Sequence, residues 1–399
     1  MCQYLSFNSS LKIFALLLLC LPVSAHPIQT QLTPNYQQNV EGLRANKALQ
    51  AMPDIVQRYQ GIYQGFSQQY QQSQNELQLT ALAASHGTRL WQQAVRDVQS
   101  GFVDDRPLYW GRLMMQNQLG QLRAGFSVAS WQKAILQKTI EKTSRGLSDI
   151  QFDPANDINV LLTGFDPFFL DKDISQSNPS GVVALALDGY RFTVNGKKVQ
   201  IETAMIPVRF NDFDMGLIES LLTPWYRSRQ VQMVLTISMG REGFDLERFP
   251  GLNRSAEAPD NLNSVTHASP SYPKPPLFNG RQLMGPEFVE FSLPVSAMAA
   301  VKGPWKVTDN RRVTSLAKGS FEANSLAELA SETSVEGSGG GYLSNEISYR
   351  SLLLKQQLGL TIPVGHIHTP RVSGHDAQNE AKILEQVRAM IEAAASTIN

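Results

Sequence analysis

INVLLTGFDPF, Ile158 to Phe168, opens with the five-residue run Ile158-Asn159-Val160-Leu161-Leu162 and breaks at Thr163-Gly164. A short, largely apolar run closed by a turn signal is the pattern of a buried strand. Three more strand patterns follow, at Val199 to Ile206, Val231 to Ile237 and Leu360 to Ile367. Between them lie helical stretches at Gly181 to Leu187, Asp214 to Leu222 and Leu343 to Leu358. Strands alternating with helices predict an α/β fold, a mainly parallel sheet flanked by helices, over residues 155–399. Ligands of such sheets bind beyond the carboxyl ends of the strands. The residues that follow strands are therefore the ones to read for chemistry.

Upstream, residues 26–150 predict an α-helical region. Gln38 to Asp97 is rich in Gln, Leu and Ala, and Met115, Leu119, Leu122 and Phe126 recur at helical spacing. A further helix is expected from Val128 to Lys142, and the apolar stripes read as core packing. Residues 1–25 read as a signal peptide. Lys12 precedes the apolar run Ile13 to Leu21, and Val23-Ser24-Ala25 suits cleavage before His26. The run is shorter than the roughly 20 apolar residues a bilayer span needs. An exported protein, periplasmic or secreted, with no membrane attachment in its mature form is the expectation. Both cysteines, Cys2 and Cys20, fall inside this leader, so the mature chain would have neither a disulfide nor a cysteine nucleophile.

Composition narrows the function classes. Of the 399 residues 42% are hydrophobic, enough for a core, and the formal net charge is zero. No excess of basic residues points to nucleic acid. Asn263 to Pro286 is rich in Pro, Ser and Asn and reads as a surface excursion, and Lys302 to Glu332 has no readable periodicity.

Four segments carry chemistry-bearing residues next to expected elements. They are Gly164-Phe165-Asp166-Pro167-Phe168 with Asn178-Pro179-Ser180; Gly240-Arg241 with Phe244 to Arg248 and Ala258-Pro259-Asp260-Asn261; Ser338 to Asn345; and Gly365-His366-Ile367-His368-Thr369-Pro370. The third is a glycine run entering a helix, where the positive end of the helix dipole and free N–H groups favour a nucleophile and a developing oxyanion. Ser344 could serve as nucleophile, His368 as general base and Glu247 as the carboxylate that orients the imidazole. The bland alternatives are a helix cap for Ser344, a surface ion pair for Glu247 with Arg248 and a satisfied structural histidine for His368. A metal hydrolase built on His366, His368 and His375 is a third reading; no acidic cluster accompanies them, so no metal ligand set and no cofactor are expected.

Together the four segments resemble, in order, the motifs of the pyroglutamyl peptidase I (pyrrolidone-carboxylate peptidase) family. Gly164 to Phe168 with Asn178-Pro179 is similar to its GFEPF-type segment followed by N-P. Glu247 with Ala258 to Asn261 is similar to its G-R…E-R segment followed by I-P-D-N. Gly339 to Asn345 is similar to its nucleophile motif, with Ser344 at the cysteine position, and Gly365 to Pro370 is similar to its G-F-I-H-x-P. Ser292-Leu293-Pro294-Val295 resembles its short L-P segment. The resemblance implies Glu247, Ser344 and His368 as catalytic residues, and Phe165, Phe168 and Asn178 as substrate-binding residues. It implies a peptide with a blocked N-terminus as substrate, from which pyroglutamate or a related group is removed. The chain departs from the family at Glu257, where an arginine is usual, at Phe169-Leu170 in place of Gly-Gly, and at Thr236-Ile237. A hydroxyl, unlike a thiol, must lose its proton to a base during attack. A non-catalytic peptide-binding relative is therefore the alternative.

Overall fold

The computed structural model describes residues 39–398. The expected leader, the cleavage point before His26 and both cysteines lie outside the described residues.

A seven-stranded sheet carries the α/β part. Its spatial order is Arg191–Val194, Lys197–Ile206, Ile158–Phe165, Met233–Met239, Val364–Thr369, Phe244–Glu247 and Val307–Asn310. The central strands Lys197–Ile206, Ile158–Phe165, Met233–Met239 and Val364–Thr369 run parallel. Arg191–Val194 joins one side antiparallel, and Phe244–Glu247 pairs antiparallel with Val364–Thr369. Every residue of Ile158–Phe165 and of Met233–Met239 is buried, as a sheet covered on both faces requires. Helices Pro179–Leu187, Leu217–Ser228, Leu343–Gln357 and Ala377–Ala395 pack around it. The fold is thus α/β, mainly parallel and flanked by helices.

Boundaries differ from expectation for identifiable reasons. The helix expected over Asp214 to Leu222 is two helices, Phe210–Asp214 and Leu217–Ser228, because Gly216 adopts φ +76° between them. The last strand starts at Val364 and not Leu360, since Pro363 has no N–H for the ladder. The helix carrying Met115 and Leu119 ends at Gln121, and Leu122 is already extended. The unreadable Lys302 to Glu332 segment holds the edge strand Val307–Asn310 and most of a small sheet, Gly319–Glu322, Arg312–Ser315 and Ser334–Glu336.

The N-terminal part is helical, chiefly Val40–Ala51, Gln60–Gln72, Glu76–Gln99, Arg106–Gln121 and Ser130–Thr143. Asn39 and Asn75 cap two of these through their side-chain oxygens, accepting from Gly42 N and Gln78 N. The helices grip the loops of the α/β part through polar contacts. Arg112 and Arg145 donate to Asp166 at 2.8 and 2.7 Å, and Asp105 accepts from Asn178 N at 3.1 Å. Arg44 donates to the Asn261 carbonyl at 2.7 Å, and Trp91 Nε1 donates to Asp188 at 3.2 Å.

Asp188 neighbours Glu202 along this seam. Burial pushes Asp188 up to about 6; burial and the Asp188 charge push Glu202 up to about 7. A carboxyl raised in the folded state favours folding in its protonated form. Its contribution is complete below the ordinary carboxylate range and is lost as pH rises through the raised value. Thermal melts of the wild type and Glu202→Gln from about pH 5 to about pH 8 check this linkage. The wild type is expected to lose more stability with rising pH than the variant; parallel curves would contradict the assignment.

Candidate functional site

Phe165, Gly240 and His368 all stand at the carboxyl ends of parallel strands, and the cleft opens there. His368 Nδ1 is 2.5 Å from Glu247 Oε1. The two come from neighbouring antiparallel strands, with His368 opposite Asp245 in register, so Asp245 and Glu247 lie on the imidazole's side of the sheet. Glu247 is 1% exposed and His368 13%. Burial pushes the Glu247 carboxyl up, and the adjoining imidazole holds it part-way back. Asp245 is also raised by burial, against the pull of His368 and Arg241. Gly240 packs on the histidine so closely that a Cβ there would lie 2.7 Å from His368 Cβ.

The other oxygen of Glu247 is held by a residue outside the four motifs. Asn310 Nδ2 donates to Glu247 Oε2 at 2.8 Å and to the Ser338 carbonyl at 2.9 Å. It ties the carboxylate to the glycine run that precedes Ser344. Asn310→Ala should leave a buried carboxylate oxygen without its donor, costing about 1–3 kcal/mol of stability in a denaturation experiment.

Ser344 sits in the first turn of Leu343–Gln357, whose N-cap is Tyr342 and which has no side-chain cap. It is therefore not the cap of its helix. The N–H groups of Leu343, Ser344 and Asn345 have no acceptor within the helix. Gly337 and Gly340 exchange backbone hydrogen bonds at 3.0 and 2.9 Å, with Gly340 at φ +85°. That turn consumes the Gly340 N–H, so free donors begin beyond it. Asn345, next to Ser344, clamps Gly251 in both directions, accepting from its N–H at 2.9 Å and donating to its carbonyl at 2.7 Å. This fixes the helix start relative to the segment following Glu247. The Ser344 hydroxyl donates to the Gly339 carbonyl at 3.2 Å and makes no direct hydrogen bond to His368.

Two cavities share Ser344 in their walls. One, of about 400 Å³, is lined by Ser344, His368, Glu247, Asp245 and the glycine run. The other, of about 90 Å³, is narrow and largely apolar, lined by Phe165, Phe168, Asn178, Val208, Tyr342 and Leu343 among others. Phe168, Met239, Tyr342 and Ser344 border both. Phe165 is also core, stacked at 6.3 Å on Phe213.

The remaining motif residues hold this wall in place. Asn178 is fully buried and committed: its Nδ2 donates to the Asp166 carbonyl at 3.0 Å, and its Oδ1 accepts from Ser180 N and Oγ. It frames the narrow cavity, and its amide oxygen is occupied. Asn261 Nδ2 donates to the Pro167 carbonyl at 2.9 Å, and Tyr342 Oη donates to the Pro259 carbonyl at 2.9 Å. Glu257 is exposed; its neighbours Ala256 and Ala258 line the cleft, and Glu257 does not. Phe169 adopts φ +60°, a left-handed backbone that glycine takes without cost and a bulky residue does not. It forms part of the cleft wall.

The three histidines weighed as metal ligands have separate partners. His366 is fully buried, with Thr236 Oγ1 and Ser238 Oγ each 2.8 Å from a ring nitrogen. Burial, then the neighbouring His368, pushes its titration far down. His375 pairs with Glu380 and Asp104. Among the described residues, no group of three His, Cys, Asp or Glu is placed to hold a metal ion.

Among solved structures, the chain is similar to pyrrolidone carboxyl peptidase from Pyrococcus furiosus, with 22% identity and a TM-score of 0.42 over 61% of this chain and 100% of that one. A mutant of the same enzyme gives 22% identity and a TM-score of 0.41, with the same shares covered. Among curated proteins, it is 29% identical to the uncharacterized protein PA0049 of Pseudomonas aeruginosa over 386 residues, covering 74% of this chain and 70% of that protein. Residues 24–141 match the family model described as the PA0049 N-terminal domain, and residues 159–277 with 304–373 match that of the PA0049 C-terminal domain.

Proposed function

We propose that this chain is a serine hydrolase of pyroglutamyl-peptidase type, removing pyroglutamate or a related uncharged blocking group from peptide N-termini. The observation that carries the proposal is the Glu247–His368 pair facing the same cleft as Ser344, with the narrow apolar cavity beside the serine. In this reading Ser344 Oγ attacks the carbonyl carbon of the blocking group and passes its proton to His368 Nε2. Glu247 holds Nδ1 and stabilises the imidazolium. The oxyanion forms at the open helix N-terminus, where first-turn N–H groups and the dipole meet it. Collapse breaks the amide bond, and His368 gives its proton to the departing amine. Water, activated by His368, then hydrolyses the acyl-serine and restores the enzyme.

The narrow cavity favours a blocked end. No charged residue lines it, so a free α-ammonium would lose its hydration with no counter-ion. A lactam or acyl group brings no charge. The bond from Ser344 to Gly339 must break before attack, by rotation about the side chain's own Cα–Cβ bond; catalytic hydrogen bonds often tighten only with substrate in place.

That same bond favours the second reading, a peptide-binding protein without turnover. Incubation with a serine-directed acylating probe, followed by peptide mass mapping, separates the two. Labelling of Ser344 that disappears in His368→Ala is expected of the hydrolase; an unlabelled Ser344 in folded protein would contradict it. We further propose export with cleavage before His26. N-terminal sequencing of the mature protein should then read from His26, and activity should be indifferent to thiol-alkylating reagents. An intact Met1 on the mature protein, or stoichiometric inactivation by alkylation, would contradict this.

A further inference from the structure

The wider cavity has a chemistry that the proposed triad does not use. Arg241, Arg312 and Arg371 line it together with Ser344 and His368. The Arg371 N–H donates to the Arg241 carbonyl at 2.8 Å, so these two side chains leave adjacent stretches of backbone. Arg312 comes from a different wall, two residues beyond Asn310, and its Nε donates to Ser320 Oγ at 3.0 Å. All three are exposed. Among the described residues, no carboxylate lies within ion-pair distance of Arg241 or Arg371. Three carboxylates, Asp245, Glu247 and Glu336, line the same cavity. Glu247 is held by His368 and Asn310, Glu336 accepts from Thr314 Oγ1 at 3.3 Å, and Asp245, opposite His368 in register, feels the charges of both His368 and Arg241 without an ion pair to Arg241 or Arg371. Ser344 thus stands between an uncharged cavity and one rimmed with guanidinium groups.

We propose that this rim holds a carboxylate on the leaving side of the scissile bond, so that the preferred substrates are short blocked peptides carrying a carboxylate within the first residue or two after the bond. The inference rests on the reading of Ser344 as nucleophile and names the substrate class of that site. The narrow cavity takes the blocking group, which leaves the wider one to the departing amine and whatever that amine carries. A guanidinium matches a carboxylate with two parallel N–H donors, which makes it a specific anion receptor as well as a point charge. Exposed arginines act through solvent, so the attraction must weaken as salt rises.

The chemistry has two sources, the α-carboxylate of a dipeptide or an acidic side chain next to the bond. Cleavage of pyroglutamyl-alanine, pyroglutamyl-alanine amide and pyroglutamyl-glutamic acid α-amide by the mature protein distinguishes them. Pyroglutamyl-alanine is expected to exceed its amide in kcat/KM by about tenfold or more, as a charge-assisted hydrogen bond can supply. The preference should shrink with added salt and fall toward unity in Arg241→Gln/Arg371→Gln. Preference for the glutamic acid amide as well would extend the site to side chains; its absence would assign the site to the α-carboxylate. Equal kcat/KM for acid and neutral amides would overturn the inference while leaving hydrolysis intact. If no peptide is cleaved, calorimetric titration of Ser344→Ala with pyroglutamyl-alanine and its amide decides separately. Tighter binding of the acid upholds the carboxylate site although turnover has failed; equal or absent binding overturns it.

Discussion

His368→Ala is expected to lower turnover of a pyroglutamyl amide by about 10²–10⁴-fold, the range that positioned base catalysis contributes, while the chain stays folded. The fold should survive because His368 reaches the cleft and is not closed in the core. Glu247 keeps its bond from Asn310. Its carboxyl, already raised by burial, can take a proton when the imidazole is gone. Ser344→Ala should give a loss at least as large, and the double variant should be little worse than the poorer single one, because residues of one catalytic unit do not add. Turnover of the two single variants and the double variant, with far-UV spectra and melts alongside, checks this. Multiplying losses would mean that serine and histidine act separately, and unchanged turnover in His368→Ala would remove the base from the account.

Asp166→Ala is expected to destabilise the protein by about 3–5 kcal/mol, the cost of stranding buried charge by removing its partner. Asp166 accepts from Arg112 and Arg145, and all three side chains are at most 2% exposed. Arg112 has little other support. Its Nε and Nη1 have no hydrogen-bond partner, and burial together with the neighbouring Arg145 pushes its titration down. Against the roughly 5–15 kcal/mol that typically holds a protein folded, this loss moves the urea midpoint far enough to be unmistakable. Asp166→Asn should fall between, keeping the shape without the charge. A loss below about 1 kcal/mol, the scale of an exposed pair, would show that the two guanidinium groups are satisfied some other way. The consequence reaches the site, because Asp166 lies in the loop that carries Phe168. The N-terminal helices therefore anchor one wall of the narrow cavity.

This contact explains what could and could not be read from the chain. The run Ile158 to Leu162 revealed its strand because a strand covered on both faces has no polar alternation to obscure it. Glu247, Ser344 and His368 could be picked out because each ends or opens an element and its segment resembles a motif of one family, and all three line one cleft. Arg112 and Arg145 carry no such signal. A buried arginine in a helical stretch looks like a surface one until its partner, far along the chain, is known. Asn310 was hidden for another reason. Its strand, Val307–Asn310, is too short to show a period, and the contact it makes is across the sheet. Gly340 belongs to the glycine run that enters the helix, but the tight turn it forms with Gly337 uses its N–H, which no count of glycines foretells. Glu257 stands where the resembled family usually has arginine, and its backbone turns it out to solvent between Ala256 and Ala258.

The central claim is that Ser344, His368 and Glu247 hydrolyse a pyroglutamyl amide. The most direct measurement is release of a reporter amine from a pyroglutamyl conjugate by the mature protein, run beside Ser344→Ala, Ser344→Cys and an alkylated sample of each. The account predicts turnover by the wild type that alkylation leaves unchanged, no turnover above background by Ser344→Ala, and turnover by Ser344→Cys that alkylation abolishes, because a thiol at that helix N-terminus ionises more readily than a free one. No release by the wild type or Ser344→Cys, together with a Ser344→Cys thiol that resists alkylation in the folded protein, would contradict it.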